Sequence, residues 1–159
     1  MSRHVAHLLL APLVLLLQWL VFSRLKLWGA YPDIVLLYAA WFALRHGRMP
    51  GALMGFVLGL TMDALYGTWG MHAMVKTLTS FMLGFFHLPD EEFRIRPSQT
   101  MLGSFLLSLI HNGLLVLLYA FQTRAQTSFL LWALWLGSSL YTALIGGFFS
   151  LLTQRHTRI

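Results

Sequence analysis

Four side chains in the first half of the chain have chemistry that stands out from their surroundings: Asp33, Asp63, His72 and Lys76. Two carboxylates, an imidazole and an ammonium could form an ion site, a proton relay or a buried ion pair. Within apolar segments such groups are costly, so they normally face the bundle interior or water and pair with one another. Asp33 and Asp63 lie at similar distances on either side of the basic turn at 45–50. If their segments are adjacent antiparallel helices, the two acids sit at one depth and can share a polar cluster. His72 and Lys76 open the next segment from the same side and are candidate partners. The functional reading is a substrate or proton site. The structural reading, an ion pair that fixes helix register, is preferred because a buried pair can serve structure alone. Asp33 also follows Pro32 directly ahead of an apolar run. A carboxylate there accepts hydrogen bonds from the free N–H groups of a first helical turn, at the positive end of the helix dipole. A helix cap is therefore expected at Asp33 ahead of a ligand role.

The other polar positions offer less chemistry. His111 and Asn112 fall mid-segment, with no second metal ligand three or four residues away. Hydrogen bonding to a neighbouring helix is the expectation for both. The chain has no Cys, which removes disulfides and thiolate metal sites. It has no phosphate-cradling G-x-x-x-x-G-K-[ST] loop and no H-E-x-x-H zinc site. Gly137-Ser138-Ser139 lacks the G-x-S-x-G spacing of a nucleophile elbow, and neither aspartate has the flanking glycine motif of an aspartic protease. Nucleophile, base and orienting group do not come together. The sequence reads as non-enzymatic, with no cofactor and no metal.

The elements that position these residues are apolar. The chain has 159 residues, 58% hydrophobic and only 10% charged, where a soluble domain has about 25% charged. Apolar stretches long enough to cross a bilayer, about 20 residues each, recur throughout. The expectation is an all-α integral membrane protein, a single polytopic domain over 1–159 with six transmembrane helices. They fall at about 5–22, 34–45, 50–66, 71–88, 98–121 and 129–152. The first reads as an uncleaved membrane helix. The second is short, with an extended or re-entrant approach through Pro32 and Asp33. The net charge of +6 is distributed singly or in pairs between apolar segments, as in membrane-orienting flanks, so nucleic acid is not an expected partner. With the N-terminus in the cytoplasm, Arg3, Arg45, Arg48, Arg94, Arg96, Arg155 and Arg158 lie inside and Arg24, Lys26 and Arg124 outside. This asymmetry favours both termini in the cytoplasm. Trp19, Trp28, Tyr31, Tyr66, Trp69, Tyr119, Trp132 and Trp135 then fall at outer segment ends, where the headgroup layer favours them.

Gly51, Gly55 and Gly59 recur every four residues on the third segment, with Asp63 one step further. Such a stripe lets two helix backbones approach closely. It can pack within the monomer or dock a partner helix, and the spacing does not choose. Gly137, Ser138, Ser139, Ala143, Gly146 and Gly147 give the sixth segment a similar surface and the same two readings.

The stretch Tyr31 to Lys76 resembles the MreD family of rod shape-determining membrane proteins. The matching residues are Pro32-Asp33, the basic turn Arg45-His46-Gly47-Arg48, and Gly51-x-x-x-Gly55-x-x-x-Gly59-Leu60-x-x-Asp63. Gly67-Thr68-Trp69-Gly70-Met71-His72-Ala73 follows, with Met71 where the family usually has leucine. The resemblance implies a site set of Pro32, Asp33, Arg45, Gly51, Gly55, Gly59, Asp63, Gly70, His72 and Lys76, binding or structural. It implies a scaffold in the bacterial cytoplasmic (inner) membrane, in contact with membrane lipids, that helps to control cell shape and peptidoglycan synthesis. The implied partners are the transmembrane helix of MreC and, through the MreB-linked elongation complex, a glycosyltransferase and a class B penicillin-binding protein. The implied fold is similar to the substrate-binding subunits of energy-coupling-factor transporters. That likeness supplies an alternative function, a vitamin-type carrier subunit binding near Asp33 and Asp63.

Overall fold

A computed structural model describes residues 3–88, 96–122 and 130–156. Asp90, Glu91, Glu92, Arg94, Arg124 and Arg158 lie outside them. Six α-helices follow one another among the described residues: α1 (Arg3–Leu17), α2 (Ile34–His46), α3 (Arg48–Tyr66), α4 (Met71–Leu83), α5 (Pro97–Gln122) and α6 (Ser138–His156). A π-helical stretch, Gln18–Phe22, continues α1, a second, Leu130–Gly137, leads into α6, and a 3-10 turn, Gly84–Phe86, ends α4. Arg48–Tyr66, Pro97–Phe121 and Leu130–Thr153 are long and apolar enough to cross a membrane. Leu10–Phe22 and Ile34–His46 are shorter apolar helices. At 1.5 Å per residue α2 is only about 20 Å long, less than the roughly 30 Å of a hydrocarbon core.

The chain divides into two compact units, one of Met1–Leu25 and Asp33–Pro89, the other of Lys26–Pro32 and Asp90–Ile159. In the first, α2 turns into α3 through a single residue, Gly47, whose φ of 84° is open to glycine at little cost. Gly67, at φ 70°, closes α3 with its N–H on the Asp63 carbonyl, a left-handed helix end. Val35 and Ala39 of α2 and Leu58 and Met62 of α3 form the core, covered by Ala11, Val14 and Leu15 of α1.

Side-chain-free contact brings α3 onto its neighbours. A Cβ on Gly51 would lie 2.6 Å from Ala43 Cβ, one on Gly55 2.5 Å from the Lys76 carbonyl oxygen, and one on Gly59 2.5 Å from Ala73 Cα. The glycine stripe therefore packs within the monomer, chiefly against α4. The helix expected to reach Leu88 leaves α geometry after Leu83 and continues as a 3-10 turn, where Gly84 lies against Arg48 so closely that a Cβ would be 2.5 Å from Arg48 Cα. The chain then docks on the end of α2: Leu88 N–H donates to the Leu44 carbonyl (2.8 Å) and a His87 ring nitrogen meets the Arg45 carbonyl (2.9 Å).

In the second unit α5 and α6 are joined by a polar seam. Ser108 Oγ donates to the Ser139 carbonyl (3.2 Å), Asn112 Nδ2 donates to Ser139 Oγ (3.1 Å), and Thr100 and Ser150 hydroxyls meet at 3.2 Å. Asn112 thus bonds across helices as expected. The small residues of the sixth segment face inward here. Ala143 is buried, and a Cβ on Gly147 would meet Met101 at 3.3 Å. Trp135 is half-buried: its indole N–H donates to the Leu109 carbonyl (2.9 Å) and its ring covers Gly113. Leu27 and Ala30 exchange backbone hydrogen bonds of 2.9 Å around Trp28 and Gly29, and Tyr31 N–H donates to Ser138 Oγ (3.2 Å).

Candidate functional site

The N-terminus of α2 is built from three parts of the first unit. Asp33 is buried, and its Oδ1 accepts from the Leu36 N–H at 2.8 Å, the cap expected from Pro32-Asp33. Its Oδ2 forms an ion pair with Nζ of Lys76, which reaches from α4 and is itself fully buried. Gln18, brought round by the π-helical end of α1, accepts from the Ile34 N–H at 2.9 Å. Inside a bilayer the free N–H groups of a helix end must find partners in the protein. Gln18 and Asp33 supply them, and the Lys76 ammonium compensates the carboxylate.

Asp63 does the same for α4 from the adjacent helix. Gly70, the residue preceding α4, contributes no capping side chain. Asp63 Oδ1 instead accepts from Thr68 Oγ1 (2.6 Å) and His72 N–H (3.0 Å), and Oδ2 from Ala73 N–H (2.8 Å). A carboxylate at the positive end of a helix is favourable on both hydrogen-bonding and dipole grounds. The two acids therefore have separate tasks, Asp33 with Lys76 at the start of α2 and Asp63 at the start of α4. His72 follows Asp63 by nine residues and is held to it through its backbone N–H. Its ring is buried 6.1 Å from the Tyr66 ring centroid, and its Nδ1 has no hydrogen-bond partner among the described residues.

Both oxygens of each carboxylate thus have donors from within the protein, which leaves the cluster suited to clamping α2, α3 and α4 together. Among the described residues no group of three His, Cys, Asp or Glu is placed to hold a metal. Of the remaining residues of the set, Pro32 is buried beside Asp33 and Gly51, Gly55 and Gly59 seat α3. Arg45 offers its carbonyl to His87. Sequence reasoning missed Gln18 and Thr68. Gln18 was visible as an amide inside an apolar run, the kind of side chain that bonds across helices.

A family model for the rod shape-determining protein MreD matches residues 2–155. No curated protein and no solved structure matches the chain. The match takes in both compact units and every residue of the polar cluster, and on that basis the chain belongs to the MreD family of rod shape-determining membrane proteins.

Proposed function

We propose that this protein is a non-enzymatic scaffold of the bacterial cell-elongation complex that binds the transmembrane helix of MreC. It sits in the cytoplasmic membrane with six passes and both termini in the cytoplasm. The observation that supports this reading best is the use of the polar groups. Each oxygen of both buried acids has an internal donor, while the outward helix faces are apolar. What remains for the exterior is contact with other helices and lipid.

The face that takes the partner is not the glycine stripe of α3, because α4 already covers it. We place it on α5. Gly103 there has no neighbour within 4 Å among the described residues, and Leu106, Ile110 and Leu117 continue the same outward stripe at helical spacing. A small residue among larger apolar ones lets a second backbone approach, and association in lipid rests on such packing. Photo-crosslinkers at 106 and 110 should capture MreC in native membranes, while ones at 53 and 60 on the outward face of α3 should not. Capture from α3 alone would move the interface, and capture from neither would refute helix docking.

The fold similar to energy-coupling-factor substrate-binding subunits belongs to this proposal too, and with it the alternative of a vitamin-type carrier. The engagement of Asp33 and Asp63 as helix caps argues against a carrier site at those residues, since a ligand there would compete with the capped N–H groups.

A further inference from the structure

We infer that Tyr66 and His72 form an internal site for bound water where α1, α3 and α4 meet. Tyr66 is the last residue of α3 and His72 the second of α4. Their rings adjoin, with centroids 6.1 Å apart and planes tilted by 47°. The Tyr66 hydroxyl and His72 Nδ1 are both buried, and neither has a hydrogen-bond partner among the described residues. Buried polar atoms are nearly always paired, with protein or with ordered water. Two unpaired ones on adjoining rings, among apolar helices, are costly to keep.

The end of α1 brings two further polar side chains to the same place. Gln18 and Ser23 lie within electrostatic reach of the Tyr66 hydroxyl but outside hydrogen-bond geometry. Gln18 Oε1 accepts from the Ile34 N–H (2.9 Å), and the Ser23 hydroxyl donates to the Trp19 carbonyl (2.5 Å). An amide oxygen and a hydroxyl oxygen each carry two lone pairs, so both can still accept from a bridging donor. An internal water commonly makes two to four hydrogen bonds, and Tyr66, His72, Gln18 and Ser23 can supply that number. Charge and burial select the occupant. Lys76, Asp33 and Asp63 all act on the His72 ring, so an ion of one sign or the other meets a like charge nearby. A neutral molecule that both donates and accepts suits a phenol hydroxyl, and it suits an imidazole nitrogen in each tautomer. Because both atoms are shut off from lipid and bulk solvent, the smallest such molecule, water, fits best.

The test uses the full chain in phosphatidylcholine liposomes and reads magnetisation passed from water protons to side chains by solid-state NMR. The His72 ring signal is assigned by its loss in His72→Asn. The exposed ring of His87 marks fast transfer, and the methyls of Val35, buried in the core, mark slow transfer. The His72 ring should receive magnetisation nearly as early as His87 although it is only 2% exposed, and Tyr66→Phe should delay it. Thermal midpoints supply a second reading. Deleting a polar atom that is truly unpaired relieves a penalty and raises the midpoint, whereas deleting one bonded to water lowers it. Tyr66→Phe and His72→Leu should each lower it. Together they should lower it by less than the sum of the two, because the shared water is lost with the first. The inference is overturned if the His72 ring is as slow as the Val35 methyls, or if Tyr66→Phe leaves its transfer unchanged. It is also overturned if removing the Tyr66 hydroxyl raises the midpoint, or if the two losses add in full. The wild-type and Tyr66→Phe readings decide the matter even where His72→Leu does not fold.

Discussion

Adding one methyl group at Gly59 should measurably loosen the fold. A Cβ there would lie 2.5 Å from Ala73 Cα, 2.5 Å from the His72 carbonyl oxygen and 2.7 Å from Ala73 N, all of them backbone atoms. No side chain can turn aside, so α4 must retreat by roughly 1 Å to reach ordinary contact. That retreat acts on the hydrogen bonds by which Asp63 holds the N–H groups of His72 and Ala73, now 3.0 and 2.8 Å long. Overpacking of this kind costs about 1–3 kcal/mol, and a weakened cap costs about 1 kcal/mol more. The better helix propensity of alanine returns about 0.5–1 kcal/mol. Gly59→Ala should therefore be destabilised by about 1–3.5 kcal/mol net. Gly103→Ala is the matched control, because its methyl meets nothing within 4 Å among the described residues. It should be neutral, or more stable by up to about 1 kcal/mol. Unfolding of the purified protein in mixed micelles by SDS titration measures both. A Gly59→Ala variant as stable as wild type, or a Gly103→Ala variant as damaged as Gly59→Ala, would refute the assignment of the glycine face to α4.

Lys76→Met should destabilise the protein by about 3–5 kcal/mol, since it leaves the Asp33 carboxylate buried without its ammonium. Asp33→Asn/Lys76→Met should recover most of that loss in the same titration, because Asn still caps Leu36. Gln18→Leu removes the acceptor of the Ile34 N–H, which should cost about 1–3 kcal/mol and speed amide hydrogen exchange at Ile34. Trp135→Phe deprives the Leu109 carbonyl of its indole donor and should lower stability by about 1–2 kcal/mol. An exposed tryptophan such as Trp28 should be replaceable by Phe with little effect.

The helical, apolar character of the chain was legible from composition, and the cap at Asp33 was legible because Pro-Asp before an apolar run is a local signal. The position of the glycines announced a close approach of helices, but the partner did not show, since a stripe specifies only its own face. Asp63 was harder to read: it caps α4 from across the Gly67–Gly70 turn, and caps are usually sought in the residue just ahead of a helix. Gln18 finds its partner only because a π-helical end turns it toward α2, and nothing in the pattern of an apolar run reveals such a widening. Trp135 stands at a segment end like the other aromatic residues, and its bond to the Leu109 carbonyl joins residues 26 apart, which that position alone does not reveal. The family resemblance rested on the stretch from Tyr31 to Lys76, and the match now extends over residues 2–155.

The scaffold account stands on the buried acid–base pair being structural, and cell shape tests this most directly. Asp33→Asn/Lys76→Met would be expressed in a rod-shaped bacterium depleted of its own MreD-family protein, with membrane level and MreC co-purification measured alongside. At wild-type level the account predicts rod-shaped cells and an intact complex. Round cells at equal level, with MreC still bound, would contradict it and return Asp33 and Lys76 to the recognition of a ligand.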